Sequence, residues 1–212
     1  HIVIEPNSYD ISENYVSNLK KKFEGISLNR SFTGEGILIS KNNTKGVFFK
    51  GVDKTEENIN EFFNKYIFKG DIENFALNHV LIGTELAFNL NLKVGDYVNL
   101  MSSAFVNTPL GSLPKQENFK VAGVFKTEFL EFDQNIIFIN IEDALSIFNK
   151  EKKDQTIELY LDDPLEANSL KNSIQKMNQN YFVYTWSDLN KSLFSALKVE
   201  RNVMFIILTL IV

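Results

Sequence analysis

Apolar residues alternate along this chain between two textures. Short runs rich in β-branched and aromatic residues at 2–5, 80–82, 97–101, 119–125, 136–139, 157–161 and 181–184 predict strands. Other stretches place apolar residues three or four apart, which puts them on one face of a helix. Over 11–23 that face is Tyr15, Val16, Leu19 and Phe23; over 56–66 it is Ile59, Phe62, Phe63 and Tyr66. Asp10 and Glu13 have the spacing of a capping box for the first helix. Residues 28–40 read as strand, with Gly34 and Gly36 as bend or bulge points. A turn at 41–46 then brings 47–50 back as its partner. Asp162-Asp163-Pro164 starts a helix over 165–177, because proline in the first turn has no N–H to leave unsatisfied.

The last stretch, 186–212, changes character along its length. Ser187 or Asp188 is placed to cap a helix whose face is Leu189, Leu193, Ala196 and Leu197. Lys198, Glu200 and Arg201 close that amphipathic part. From Val203 onward Thr209 is the sole polar residue. This pattern predicts a helix that leaves a water-soluble domain and enters a bilayer through Met204, Phe205, Ile206, Ile207 and Leu208. About half of the roughly 20 apolar residues of a span are present. The competing expectation is a buried C-terminal core helix. On the membrane reading, the chain is trimmed at both ends and 1–186 form a head tethered to lipid.

The two ends of the chain share one texture and the middle has another. The predicted fold class is α+β, with one subdomain of βαββα type built from 1–69 and 152–186. A β-rich subdomain, 70–151, is inserted between them, and 187–212 form the helix that leads into a truncated span.

Composition narrows the chemistry. The 212 residues include 44% hydrophobic and 23% charged side chains, ordinary values for a folded protein. Net charge is −5 and basic residues are not clustered, so a nucleic-acid partner is not expected. The absence of cysteine excludes disulfides, thiol catalysis and cysteine-ligated zinc. His79 lacks the HxxH or HExxH spacing of a metal site, and His1 is terminal. Glu128, Glu131 and Asp133 form an acidic stretch without EF-hand spacing, read as a solvated loop. Gly34-Glu35-Gly36 is not followed by a phosphate-binding motif. No catalytic, metal-binding or cofactor-binding constellation emerges.

One element is unusual. Between the strands at 97–101 and 119–125 lie about seventeen residues rich in Ser, Thr, Asn, Pro and Gly. Most hairpin connections have two to five residues. Pro109 and Pro114 restrict this segment before anything binds, and Phe105, Val106, Leu110 and Leu113 offer contact area. Either it docks a partner or it folds back over its own domain.

The run Thr108-Pro-Leu-Gly-Ser-Leu-Pro-Lys-Gln-Glu-Asn-Phe119, followed by Lys120-Val-Ala-Gly-Val-Phe125, resembles the periplasmic domain of LolC/LolE-type lipoprotein-releasing permeases. So does the stretch from Trp186 through Leu193-Phe-Ser-Ala-Leu-Lys-Val-Glu-Arg-Asn-Val-Met-Phe-Ile-Ile-Leu208; residues 139–145 and 159–167 match in pattern. The resemblance implies a MacB-like ectodomain on a permease subunit of an inner-membrane ABC transporter, not itself an enzyme. A separate LolD-type subunit would hydrolyse ATP, and a second permease would pair through the membrane part. Lipoproteins would be the substrates and a LolA-type periplasmic chaperone the acceptor. In the family a long hairpin called the hook captures LolA. The resemblance places the hook hairpin at 98–121 and its contact residues at Phe105, Val106, Thr108, Pro109, Leu110, Gly111, Ser112, Leu113 and Pro114. Lys115, Gln116 and Glu117 fall on an adjoining polar pad. Glu117 stands where the family often has Arg, and Val98 where a basic residue can precede the hook. A MacB-like efflux or cell-division permease, with a different periplasmic partner, is the alternative; a soluble secreted enzyme is a more distant one.

Overall fold

A computed structural model describes residues 1–212 apart from 8, 9, 24, 42, 110, 179 and 212. The chain runs β1 (Ile2–Pro6), α1 (Glu13–Lys22), β2 (Ile26–Ser40), β3 (Asn43–Val52), α2 (Glu57–Tyr66), β4 (Ile67–Gly70), β5 (His79–Gly83), α3 (Thr84–Asn89), β6 (Tyr97–Thr108), β7 (Gly111–Phe125), α4 (Leu130–Asn135), β8 (Ile136–Asn140), α5 (Ile141–Ile147), β9 (Thr156–Leu161), α6 (Ala167–Met177), β10 (Tyr181–Thr185), α7 (Trp186–Leu189) and α8 (Lys191–Ile211). Mixed helix and strand agree with the predicted α+β class.

Strands from the two chain ends form one antiparallel set in the order β10-β1-β9-β2. With α1 between β1 and β2 and α6 between β9 and β10, this is a split βαβ arrangement. Alternate residues along each strand reach the same face. Ile2, Ile4, Leu28, Ile157, Leu159, Leu161, Tyr181 and Val183 bury that face against Tyr15, Leu19, Ala167 and Ile174. Helix α1 is capped by Ser12, whose Oγ accepts from the Tyr15 N–H, so the cap is Ser12 and not the expected Asp10 box.

Strand β2 is long enough to join two parts of one continuous sheet. Residues Ile26 to Ser31 pair with β9, and Ser31 to Ser40 pair with β3. The change of partner falls at Ser31. From there pairing runs β2-β3-β8-β5-β7-β6, and β6 returns to β2 at Gly36 to Ile39. Among the described residues these strands close a ring. Leu38, Phe49, Val80, Ile82, Val98, Leu100, Phe119, Val121, Ile137 and Ile139 fill its interior, with Ile147 and Phe148 sealing one part. On the outside, Ile59 and Phe63 of α2 pack with Phe75, Phe125 and Phe138. Gly36 is not a bulge point. A Cβ there would lie 2.4 Å from the Met101 carbonyl oxygen, so the closing approach of β6 to β2 needs glycine at this position.

Two further segments differ from expectation. In the acidic stretch at 128–133, Glu128 and Glu131 are exposed as expected, but α4 takes up most of the stretch and Asp133 is buried. Asp133 takes up donors that burial would otherwise leave unpaired, accepting from the Thr127 Oγ1 at 2.6 Å and the Thr127 N–H at 3.1 Å. At the C-terminal end, the cap is Thr185, which forms a capping box with Asp188, and the helix breaks at Asn190 into α7 and α8. The Trp186 and Phe194 rings meet edge to face at 4.9 Å across this break. Helix α8 is exposed along its length rather than packed as a core helix. Among the described residues, no helix is long and apolar enough to cross a membrane.

Candidate partner-docking site

The segment expected as a long loop is mostly strand. β6 and β7 pair from Tyr97↔Lys120 to Thr108↔Gly111, with a register shift between Met101 and Phe105. The shift separates a stem from a tip. In the stem, β6 also pairs with β2 and Ser102 Oγ donates to the Ile147 carbonyl at 2.6 Å. Beyond it the pairs Phe105↔Pro114, Val106↔Leu113 and Asn107↔Ser112 belong to a two-stranded ribbon. Gly111, at φ 121°, accepts through its carbonyl from Thr108 Oγ1 at 2.7 Å and holds the turn. Ser112 Oγ donates to Asn107 Oδ1 at 2.7 Å across the ribbon.

Apolar side chains stand exposed on this ribbon. Phe105 is 59% exposed, Leu113 54% and Val106 43%. Pro109 is exposed too, and Pro114 is half-buried. Leu110 lies outside the described residues. The register sets Val106 opposite Leu113 and Phe105 opposite Pro114, so four of the expected contact residues form two adjacent cross-strand pairs.

Lys115, Gln116 and Glu117 lie on the stem and do not act alike. Lys115 Nζ donates to the Ser146 carbonyl at 2.6 Å, at the last turn of α5, where a cation is favoured. It also pairs with Glu117 at 3.4 Å. Asn149 Nδ2 donates to the Phe105 carbonyl at 3.2 Å. Lys115, Glu117 and Asn149 thus brace the ribbon against α5, while Gln116 stays exposed beside Met101. Ser146 and Asn149 carry no mark of this role in the sequence, because nothing in helical periodicity shows which polar residues face a distant hairpin.

The remaining candidates carry little chemistry. His79 Nδ1 lies 2.8 Å from the Leu77 carbonyl. Asp143 accepts from the Asn78 N–H at 2.7 Å, and burial pushes its carboxyl up from the ordinary value despite that bond. No group of three His, Cys, Asp or Glu side chains is arranged to hold a metal among the described residues. Met204, Phe205, Ile206, Ile207 and Leu208 are all exposed on α8.

No protein-family model matches the chain. Curated relatives do. The lipoprotein-releasing system transmembrane protein LolC of Buchnera aphidicola (Acyrthosiphon pisum) is 29% identical over 214 residues, covering 99% of this chain and 52% of that protein. LolC of Neisseria meningitidis is 28% identical over 184 residues, 85% of this chain and 44% of that protein. LolC of Xylella fastidiosa (Temecula1) is 33% identical over 135 residues, 63% of this chain and 32% of that protein. The chain is similar to LolC-type permease subunits over most of its length. It spans about half or less of the length of these relatives. The periplasmic region of MacB from Actinobacillus actinomycetemcomitans superposes on this chain with a TM-score of 0.53 at 13% identity, covering 91% of each. The extracellular domain of the noncanonic ABC-type transporter YknZ gives 0.53 at 12% identity, covering 86% of this chain and 98% of that one. The fold is therefore that of MacB-type periplasmic domains, and the likeness to LolC is one of sequence.

Proposed function

We propose that this chain is the periplasmic part of an inner-membrane ABC transporter permease subunit that releases lipoproteins, and that its β6–β7 ribbon docks a LolA-type chaperone. The observation that carries the reading is the ribbon beyond the register shift. It bears exposed Phe105, Val106 and Leu113 on a stem braced by Lys115 and Asn149. A ribbon held at its base pays less entropy on binding than a loose loop, and its apolar pairs supply contact area. The chain's own side chains would orient the carrier and perform no bond chemistry. Energy would come from a LolD-type ATPase subunit, acting through a second permease and through α8, whose exposed apolar side chains suit a bilayer better than water.

Likeness to MacB and YknZ favours one second reading, an efflux-type permease domain that meets a different periplasmic partner. Co-purification separates the two. The 212-residue chain should retain a LolA-type chaperone, and a variant carrying Phe105→Asp and Pro109→Gly should not. No retention by the wild type would favour the second reading.

A further inference from the structure

We propose that the groove between β4 and α3 docks an extended acidic segment of a partner protein, one that also carries apolar side chains. The groove has a volume of about 960 Å³, and Phe68 and Lys69 of β4, Phe88 of α3 and Val94 are among the residues that line it. Phe68 is 58% exposed and Phe88 83%. Two large rings facing one groove form the kind of apolar patch that marks an interaction surface.

The rim decides the charge of the occupant. Lys69, Lys93 and Lys126 line the groove against a single carboxylate, Glu85. None of the three ammonium groups is in an ion pair among the described residues. Lys69 Nζ lies 5.5 Å from the centroid of the Phe68 ring. The whole chain carries −5, so this cluster runs against the charge of the molecule and selects an anionic partner.

The backbone decides the occupant's shape. β4 pairs with β7 and ends the strand order, so among the described residues its other edge carries no strand. An unpaired edge beside apolar pockets is the geometry by which an extended peptide adds to a sheet. Val124 and Lys126 stand at the opposite end of β7 from Gly111. At about 3.3 Å per residue, roughly 40 Å of strand separates groove from hairpin tip. The groove is therefore independent of the hairpin, and both can be occupied at once.

The test uses a fluorescein-labelled peptide alternating glutamate with leucine or phenylalanine, a counterpart with lysine for glutamate, and an all-glutamate peptide. The acidic apolar peptide should bind and slow amide exchange across 67–70. Its affinity should fall about tenfold or more in Lys69→Glu/Lys93→Glu/Lys126→Glu, and equally in Phe68→Ser/Phe88→Ser. The hairpin variant Phe105→Asp should bind it unchanged. Thermal melts of each variant confirm that the fold persists. Equal binding of the lysine peptide, protection elsewhere, or no binding would overturn the proposal. So would binding of phosphatidylglycerol vesicles, or self-association of the chain, that depends on the three lysines while the peptide does not bind.

Discussion

Ser31 Oγ donates to Glu158 Oε1 at 2.7 Å, at the residue where the pairing of β2 with β9 ends and its pairing with β3 begins. Lys50 Nζ reaches the same carboxylate at 2.8 Å from β3, and the Tyr160 hydroxyl at 2.6 Å from β9. Three donors from both sides of the junction therefore converge on one side chain.

Glu158 should make the junction acid-sensitive. Burial pushes its carboxyl up, but Lys50, Tyr160 and Ser31 outweigh burial and hold it below the ordinary value. A folded-state value below the unfolded one gives stability that is present above the ordinary glutamate range and is lost as pH falls through the folded value. Glu158→Gln should cost about 2 kcal/mol at pH 7. Urea titrations should also show a flatter fall in stability below about pH 4.3 than in the wild type.

Closure of the strand ring should depend on Gly36. A Cβ there meets the Met101 carbonyl at 2.4 Å and the Phe49 ring at 2.7 Å, whereas one at Gly46 meets nothing within 4 Å. Gly36→Ala should destabilise by about 1–3 kcal/mol. Gly46→Ala should change the denaturation midpoint little.

Phe138 joins the outer aromatic cluster, with ring centroids 5.6 Å from Phe62, 5.2 Å from Phe63 and 5.3 Å from Phe125. Phe138→Ala should cost about 3–5 kcal/mol, since neighbours held by β7 and α2 cannot collapse into the space. Phe129→Ala, at an exposed ring on the same side, should cost little in the same melt.

The brace of the ribbon should be separable from the fold. Removing the Lys115 and Asn149 side chains leaves the ring core and the Ser102–Ile147 bond intact but loosens the base of the ribbon from α5 and the residues after it. Lys115→Ala/Asn149→Ala should speed amide exchange at 102–114 while lowering stability by only about 1–2 kcal/mol.

Much of this fold was legible because burial writes itself into periodicity. Ile2 and Ile4, or Ile157, Leu159 and Leu161, alternate because one face of their sheet is dry. The hairpin was legible only at its base. Its tip has few continuous apolar runs, since a two-stranded ribbon with water on both faces needs none, and Ser, Asn and Pro there imitate a loop. Strand partners leave no periodic mark, so the double role of β2 and the part played by Glu158 were invisible. The buried carboxylate of Asp133 resembles a solvated one because its donors at Thr127 lie in an irregular connection that no pattern distinguishes. The caps are hard to choose at both ends for a common reason: short polar residues stand within two or three positions of one another, Asp10 and Ser12 at one end and Thr185, Ser187 and Asp188 at the other, and the entry geometry of the chain selects Ser12 and Thr185.

The docking claim is tested most directly by titrating a LolA-type chaperone into the 212-residue chain by calorimetry, wild type against Phe105→Ser/Leu113→Ser. Tight binding by the wild type, weakened at least about tenfold in the variant with an unchanged melting temperature, is the predicted result. Equal affinity for both proteins, or no heat from the wild type, would contradict it.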